Sequence, residues 1–224
     1  MRQPLAKRTV AEALGTFFLL AAVVGSGIMA ERLAGGNRAL ALLANTAATG
    51  AALVALIISF APLSGAHFNP AVTISFALGR DFSWSEVPFY LFAQIVGGIG
   101  GVIAANLMFG LPAVFASHNP RTGMAQLFSE FVATLGLVSV ILAASRSTIA
   151  VVAIAVGSYI TAAYWFTAST SFANPAVTLA RCLSDTFTGI RPADVPGFVL
   201  AQLAGAVAAT VLFRWLMPAE RDES

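Results

Sequence analysis

Charge is scarce in this sequence. Its 224 residues include 12 Lys/Arg and 10 Asp/Glu, a charged share of 10% against 58% hydrophobic residues. A water-soluble domain carries about 25% charged residues, so a surface this poor in charge must face lipid. The formal charge of +2 is scattered along the chain, and no basic cluster marks a nucleic-acid partner. Cysteine is nearly absent. Cys182 stands alone, which excludes an internal disulfide and a metal site built on thiols. The two histidines, His67 and His118, fall on predicted opposite sides, and no Ser/His/Asp, Cys/His or metal-ligand cluster accompanies them. Neither an enzyme nor a bound cofactor or metal is expected.

What the sequence has instead is long apolar runs. A helix crossing a hydrocarbon core of about 30 Å needs about 20 apolar residues. Stretches 13–30, 87–120, 131–145 and 195–213 contain no Asp, Glu, Lys or Arg and meet that need, the third by extending back across Glu130. Arg2, Lys7 and Arg8 precede the first run as they would in a signal peptide, but Glu12 and the length of the run favour a first membrane span. Two further runs are too long for one helix: residues 39–79 and 147–180 are free of charge over 41 and 34 positions.

Both long runs end alike. A helix-like stretch, about 39–60 and about 148–167, leads through small and polar residues to Asn-Pro-Ala-Val-Thr, at Asn69-Pro70-Ala71-Val72-Thr73 and Asn174-Pro175-Ala176-Val177-Thr178. Asn is a favoured N-cap, and Pro at the first helical position loses no hydrogen bond. Each run therefore predicts a full crossing, a chain that turns back into the membrane, and a half-helix starting near the bilayer centre. Irregular backbone at that depth survives only where protein or a water-filled cavity surrounds it.

The halves match elsewhere. Glu12 in the first helix parallels Glu130 in the fourth, and Ala93-Gln94 in the third parallels Ala201-Gln202 in the sixth. Three crossings per half reverse the entry side, so the expected fold is an all-α membrane protein. It has six transmembrane helices and two re-entrant half-helices, in one domain over 1–224 with inverted repeats about 9–110 and 122–217. Arg2, Lys7, Arg8, Arg80, Arg146, Arg214 and Arg221 fall on the side of the termini, and Arg32, Arg38, Arg121, Arg181 and Arg191 on the other. That bias predicts cytoplasmic termini for a multi-pass protein of the plasma membrane.

On these motifs the chain resembles the major intrinsic proteins, the aquaporins and aquaglyceroporins. The paired Asn-Pro-Ala, Glu12 and Glu130, the Ser64-Gly65-Ala66-His67 approach and the two Ala-Gln pairs carry the resemblance over nearly the whole chain. It implies a homotetramer with one pore per subunit, embedded in lipid and passing water and small uncharged solutes. At the pore centre, Asn69 and Asn174 are expected to cap their helices through oxygen and turn NH2 to the pore. The facing helix N-termini oppose cations there.

The family's narrowest point uses four positions, one an arginine directly after the second Asn-Pro-Ala; that position here is Val177. Counting back on the family's spacing gives Thr49, 20 before Asn69, and Ala162 and Ser171, 12 and 3 before Asn174. A filter of Thr49, Ala162, Ser171 and Val177 has neither charge nor aromatic ring. It predicts a pore wider than a strict water channel, open to polyols, urea and hydroxylated metalloids. The combination resembles bacterial aquaglyceroporin-like channels associated with arsenic resistance, which implies arsenite as neutral As(OH)3 and methylarsenicals among the solutes.

Arg181 lies one helical turn beyond Val177 and is expected as a solvated arginine of the mouth, or else as a cation farther out. Trp165 and Phe166 are expected against lipid or a neighbouring helix, unless the fifth-helix spacing slips and brings them to the pore. His67 is expected in the inner vestibule, either bonded to the loop or acting as a pH gate. His118 is expected in solvent. Glu12 and Glu130 are expected to accept hydrogen bonds from their own re-entrant loops, proton coupling being the alternative. Glycines 97, 98, 100, 101 and 205 are expected to permit close helix crossings. The competing functions are a proton- or ion-coupled secondary transporter and a junction protein with a closed pore.

Overall fold

The computed structural model describes residues 3–217, so Arg2 and Arg221 lie outside the described residues. Its helices are α1 (Leu5–Leu33), α2 (Arg38–Ser64), α3 (Pro70–Gly79), α4 (Val87–Met108), α5 (Met124–Ala144), α6 (Ile149–Phe166), α7 (Pro175–Arg181) and α8 (Val195–Leu216), with a 3-10 turn at Pro192–Asp194 before α8. Among the described residues six helices are long and apolar enough to cross a membrane, and α3 and α7 are short.

Local chemistry explains the boundaries. Asn37 caps α2 by accepting from the backbone N–H groups of Ala39 and Leu40, both at 3.1 Å, and Thr148 caps α6. Gly65 ends α2 in a left-handed conformation at φ 94°, which suits a residue without Cβ. The apolar stretch 87–120 is helical only to Met108, after which Gly110 and Pro112 lead into a connection without regular secondary structure.

The main helix pairs are α1–α4, α5–α8, α1–α2 and α2–α6. Small residues let backbones touch. A Cβ at Gly97 would stand 2.1 Å from the Ala13 carbonyl, one at Gly101 2.2 Å from that of Phe17, and one at Gly205 2.5 Å from that of Phe131. Of the five glycines expected at crossings, these three are required by space. A Cβ at Gly98 would make ordinary contact with Ala180 at 3.4 Å, and one at Gly100 would press on the Phe17 ring at 3.2 Å. Large apolar side chains such as Phe92, Leu107, Leu200, Val211 and Trp215 point outward. Without a solvating lipid phase these would be a large exposed apolar surface.

The start of α1 and the end of α8 share one side, here called the near side. Arg8 is buried there in a bidentate pair with Glu86, at 3.0 and 2.7 Å, and Arg214 reaches the Leu78 carbonyl. The loops 34–37, 109–123 and 182–194 form the far side.

Candidate pore

Asn69 and Asn174 start the two short helices. Asn69 Oδ1 accepts from Ala71 N at 2.9 Å, and Asn174 Oδ1 accepts from Ala176 N at 2.9 Å and Val177 N at 3.2 Å. Pro70 and Pro175 take the first helical position, and Ala71 and Ala176 are fully buried behind them. The amide nitrogens do something that capping does not require. Asn69 Nδ2 donates to the Ala173 carbonyl and Asn174 Nδ2 to that of Phe68, each at 2.8 Å. The two halves are thus tied at their tips, and one of each amide's two N–H donors is spent on the tie rather than facing the pore.

The chain reaches these tips through strained backbone. Ala66 and Phe68 in one approach, and Thr170, Ser171 and Ala173 in the other, hold φ between 47° and 60°. Such conformations cost about 1–3 kcal/mol each and persist only when surroundings enforce them. Two buried carboxylates supply the enforcement. Glu12 Oε1 accepts from Ser64 Oγ at 2.6 Å and His67 N at 3.0 Å, and its Oε2 from Phe68 N at 2.7 Å and Gln94 Nε2 at 2.8 Å. Glu130 accepts from Phe172 N at 2.9 Å, Ala173 N at 2.8 Å and Gln202 Nε2 at 2.6 Å. Gln94 and Gln202 also donate to Thr73 and Thr178, whose hydroxyls bond back to the carbonyls of Asn69 and Asn174.

Three spaces follow one another past these tips. A far vestibule of about 710 Å³ is bordered by Glu31, Arg38, Asn45, Arg121, Arg181 and Asp185. A central cavity of about 50 Å³ is bordered by Thr49, Leu53, Asn69, Tyr164, Ser171, Asn174, Val177 and Arg181. A near vestibule of about 320 Å³ is bordered by Ile57, Ala61, His67, Asn69, Leu137 and Val156. Arg181 borders the first two spaces, while Asn69 and Leu137 border the last two. Helical steps run the same way along α2, where Arg38, Leu42, Asn45, Thr49, Leu53, Ile57 and Ala61 pass from far to near side on one face.

Of the four filter residues read from the sequence, Thr49, Ser171 and Val177 border the central cavity, and Ala162 does not. Ala162 is exposed on the outer face of α6. The inward face of that helix holds Val156, Ile160 and Tyr164, spaced by four, so a residue two places from Ile160 points away. Tyr164 takes the place assigned to Ala162, and its hydroxyl donates to Thr49 Oγ1 at 3.4 Å. Counting from Asn174 fixes a position along the chain but not the rotation of α6 about its axis, and Ala162 falls on the outward face. The four-residue apolar spacing was the available signal. Trp165 and Phe166 face outward, 49% and 56% exposed.

Tyr164 and Arg181 thus border the central cavity beside Thr49, Ser171 and Val177, a ring and a cation where the sequence reading placed neither. Arg181 is 2% exposed and not a solvated mouth residue. Its Nε donates to the Thr188 carbonyl, and its guanidinium carbon lies 3.4 Å from the centre of the Phe172 ring. Arg121 reaches the same ring at 4.8 Å and donates to the carbonyls of Gly189 and Ser169, at 2.8 and 2.9 Å. Burial pushes the Arg121 guanidinium down to about 10, against the pull of Glu130, so it stays charged at neutral pH.

His67 borders the near vestibule, bonds Thr73 Oγ1 at 3.1 Å and stacks on Phe76 at 4.9 Å. His118 is exposed but bonded twice to Asp185, through backbone N at 2.8 Å and ring Nδ1 at 2.9 Å. The Asp185 carboxyl is held below the usual carboxylate range by that backbone N–H first, then by the ring. Cys182 lies beyond α7 with its thiol on the Leu179 carbonyl, outside the central cavity. Among the described residues no group of three or more His, Cys, Asp or Glu is placed to hold a metal ion.

Six apolar helices around two capped half-helices that join at their tips describe a membrane channel built on re-entrant segments. The chain belongs to the major intrinsic protein family, which matches it over residues 1–151 and 144–224. It is 58% identical over 217 residues to the aquaglyceroporin AqpS of Rhizobium meliloti (strain 1021), covering 97% of this chain and 93% of that one. It is 33% identical over 229 residues to the aquaporin NIP2-1 of Zea mays, covering 98% of this chain and 76% of the relative. The X-ray structure of the aquaglyceroporin from Plasmodium falciparum shares the fold, with a TM-score of 0.78 at 22% identity over 96% of this chain and 98% of that one. The chain is thus a multi-pass membrane channel and not an enzyme.

Proposed function

We propose that this channel passes water, glycerol-like polyols and neutral metalloids such as arsenite or methylarsenicals, passively and one at a time. One observation carries the reading: two vestibules and a central cavity share Asn69, Leu137 and Arg181 as common walls, so they lie in series. A cavity of about 50 Å³ is far smaller than either vestibule and has room for only a few waters. A solute there sheds most of its hydration, and polar side chains must replace it. Ser171 Oγ is buried without a protein partner among the described residues, and the Thr49 and Tyr164 hydroxyls and the second N–H of each Asn amide are the other candidates. Hydroxylated neutral solutes suit that lining. The filter in this reading is Thr49, Tyr164, Ser171 and Val177.

The 58% identity to a protein named an aquaglyceroporin supports solutes larger than water. The family relation supports a homotetramer with a pore in each subunit, and the matched halves support one domain of two inverted repeats over 1–224. The cation bias supports near-side termini in the cytoplasm, and a place in the plasma membrane is proposed with it. A coupled transporter is the second reading. Against it, Glu12 and Glu130 are both saturated by backbone and glutamine donors, and among the described residues no acid borders the central cavity.

The test is a proteoliposome panel of water, glycerol, urea, arsenite and a methylarsenical without any imposed ion gradient. Equilibration supports a channel, and accumulation against a gradient supports a transporter. Val177→Arg adds bulk and charge to the lining of the central cavity and is expected to cut glycerol and arsenite flux more than water flux. Equal loss for all solutes, or none, would remove Val177 from the filter.

A further inference from the structure

The arginine that the family places directly after the second Asn-Pro-Ala is missing here, yet a guanidinium still reaches the constriction. Arg181 stands one turn beyond Val177 on the same face of α7, and its side chain is directed into the protein, not out to solvent. It is a wall of both the far vestibule and the central cavity. Its Nε bonds the Thr188 carbonyl and its plane rests on Phe172, but Nη1 is buried with no hydrogen-bond partner among the described residues. No carboxylate forms a direct ion pair with it: the described ion pairs join Arg8 to Glu86, His118 to Asp185 and Arg191 to Asp194, and the nearby Glu130 is held by Phe172 N, Ala173 N and Gln202. Burying an unpaired charged donor is costly, and so close to open solvent the side chain is held there by Thr188 and Phe172.

We infer that Arg181 is the cationic element of this filter, moved one helical turn toward the far side. Its fixed charge repels protons and alkali cations before they reach the central cavity. Nη1 donates to an oxygen of a neutral hydroxylated solute at the same point. Arg121, spent on backbone carbonyls beside the same ring, adds a second positive charge behind it. The vestibule acids Glu31 and Asp185 lie outward of this point, Asp185 already bonded to His118.

The inference rests on the passive-channel reading, and the experiment separates the two. The full chain is reconstituted as wild type, Arg181→Met, Arg181→Gln and Arg181→Lys, and proton leak under a clamped potential is divided by glycerol flux in the same vesicles. Removing a unit charge a few Å from the path is worth more than a factor of ten at an effective dielectric of about 20. The ratio is therefore expected to rise at least tenfold in both neutral variants and to stay near wild type in Arg181→Lys. If Arg181→Met fails to insert, Arg181→Gln, which keeps a donor and loses the charge, decides the matter. An unchanged ratio in the neutral variants, or an equal leak in Arg181→Lys, overturns the assignment. A wild-type chain that passes no glycerol removes the channel reading itself, and the filter role with it.

Discussion

The near and far halves of the pore are built to one plan and finished differently. At the 105-residue offset between Asn69 and Asn174, Ser64 matches Ser169, Ala66 matches Ser171 and Thr73 matches Thr178. The strained backbone at Ala66 and Phe68 recurs at Ser171 and Ala173 with φ within a few degrees. At the same offset, His67 on Phe76 in the near half becomes Phe172 under Arg181 in the far half. The near half pairs two rings beside an apolar vestibule; the far half pairs a ring with a cation beside a polar one. The lesson is a division of labour. The shared residues hold the tips in place, and the exchanged pair sets what each mouth presents to a solute.

The largest expected effect tests the shared part. Hydrogen bonds to charged groups contribute about 1.5–3 kcal/mol each. Glu12→Ala removes four such bonds and Glu130→Ala three. Both are expected to collapse the yield of folded protein on size exclusion in detergent, Glu12→Ala more completely. A greater loss from Glu130→Ala would break the ranking of the two halves. Next come the crossings. Gly97→Ala and Gly205→Ala drive a methyl into backbone carbonyls, and overpacking of this kind costs about 1–3 kcal/mol. Both are expected to lower the Tm in detergent, whereas Gly98→Ala, in ordinary contact, is expected to leave it nearly unchanged. A Tm loss from Gly98→Ala equal to the others would sink the packing argument.

The smallest effect belongs to the far half alone. Asp185 has a depressed folded-state pKa, so its contribution to stability is present above the unfolded carboxyl value and is lost as pH falls through the lower folded one. That window lies below about pH 4, the ordinary range of Asp. The pair is exposed, so its worth is small. Asp185→Asn is expected to lower the Tm slightly at pH 7 and to make no difference well below pH 4, which flattens the acid-side fall by the same small amount. A large loss at pH 7 would give the His118 contact a structural weight that its exposure does not support.

Much of this was legible in the amino-acid order because it is local chemistry. An Asn before a Pro makes a helix start wherever it stands, and a 41-residue run without charge must do more than cross once. Glu12 and Glu130 could be singled out because acids inside spans are rare and need partners. The orientation of α6 about its axis was legible only in part, through the four-residue spacing of Val156, Ile160 and Tyr164. It depends on how Gly50 and Gly157 seat α2 against α6, and that seating turns Tyr164 inward and Ala162 outward. The direction of Arg181 is likewise set by the Thr188 carbonyl and the Phe172 ring, brought to it by two separate loops.

By itself, then, the sequence determined the spans, the half-helix starts and the carboxylates that anchor them, since capping, charge and apolar length act between neighbours in the chain. Only the tertiary structure decided which side chains face the solute path and where the Asn amides are tied. Those outcomes depend on helix rotation and cross-half contacts, and the energies that fix them are shared among residues far apart in the chain.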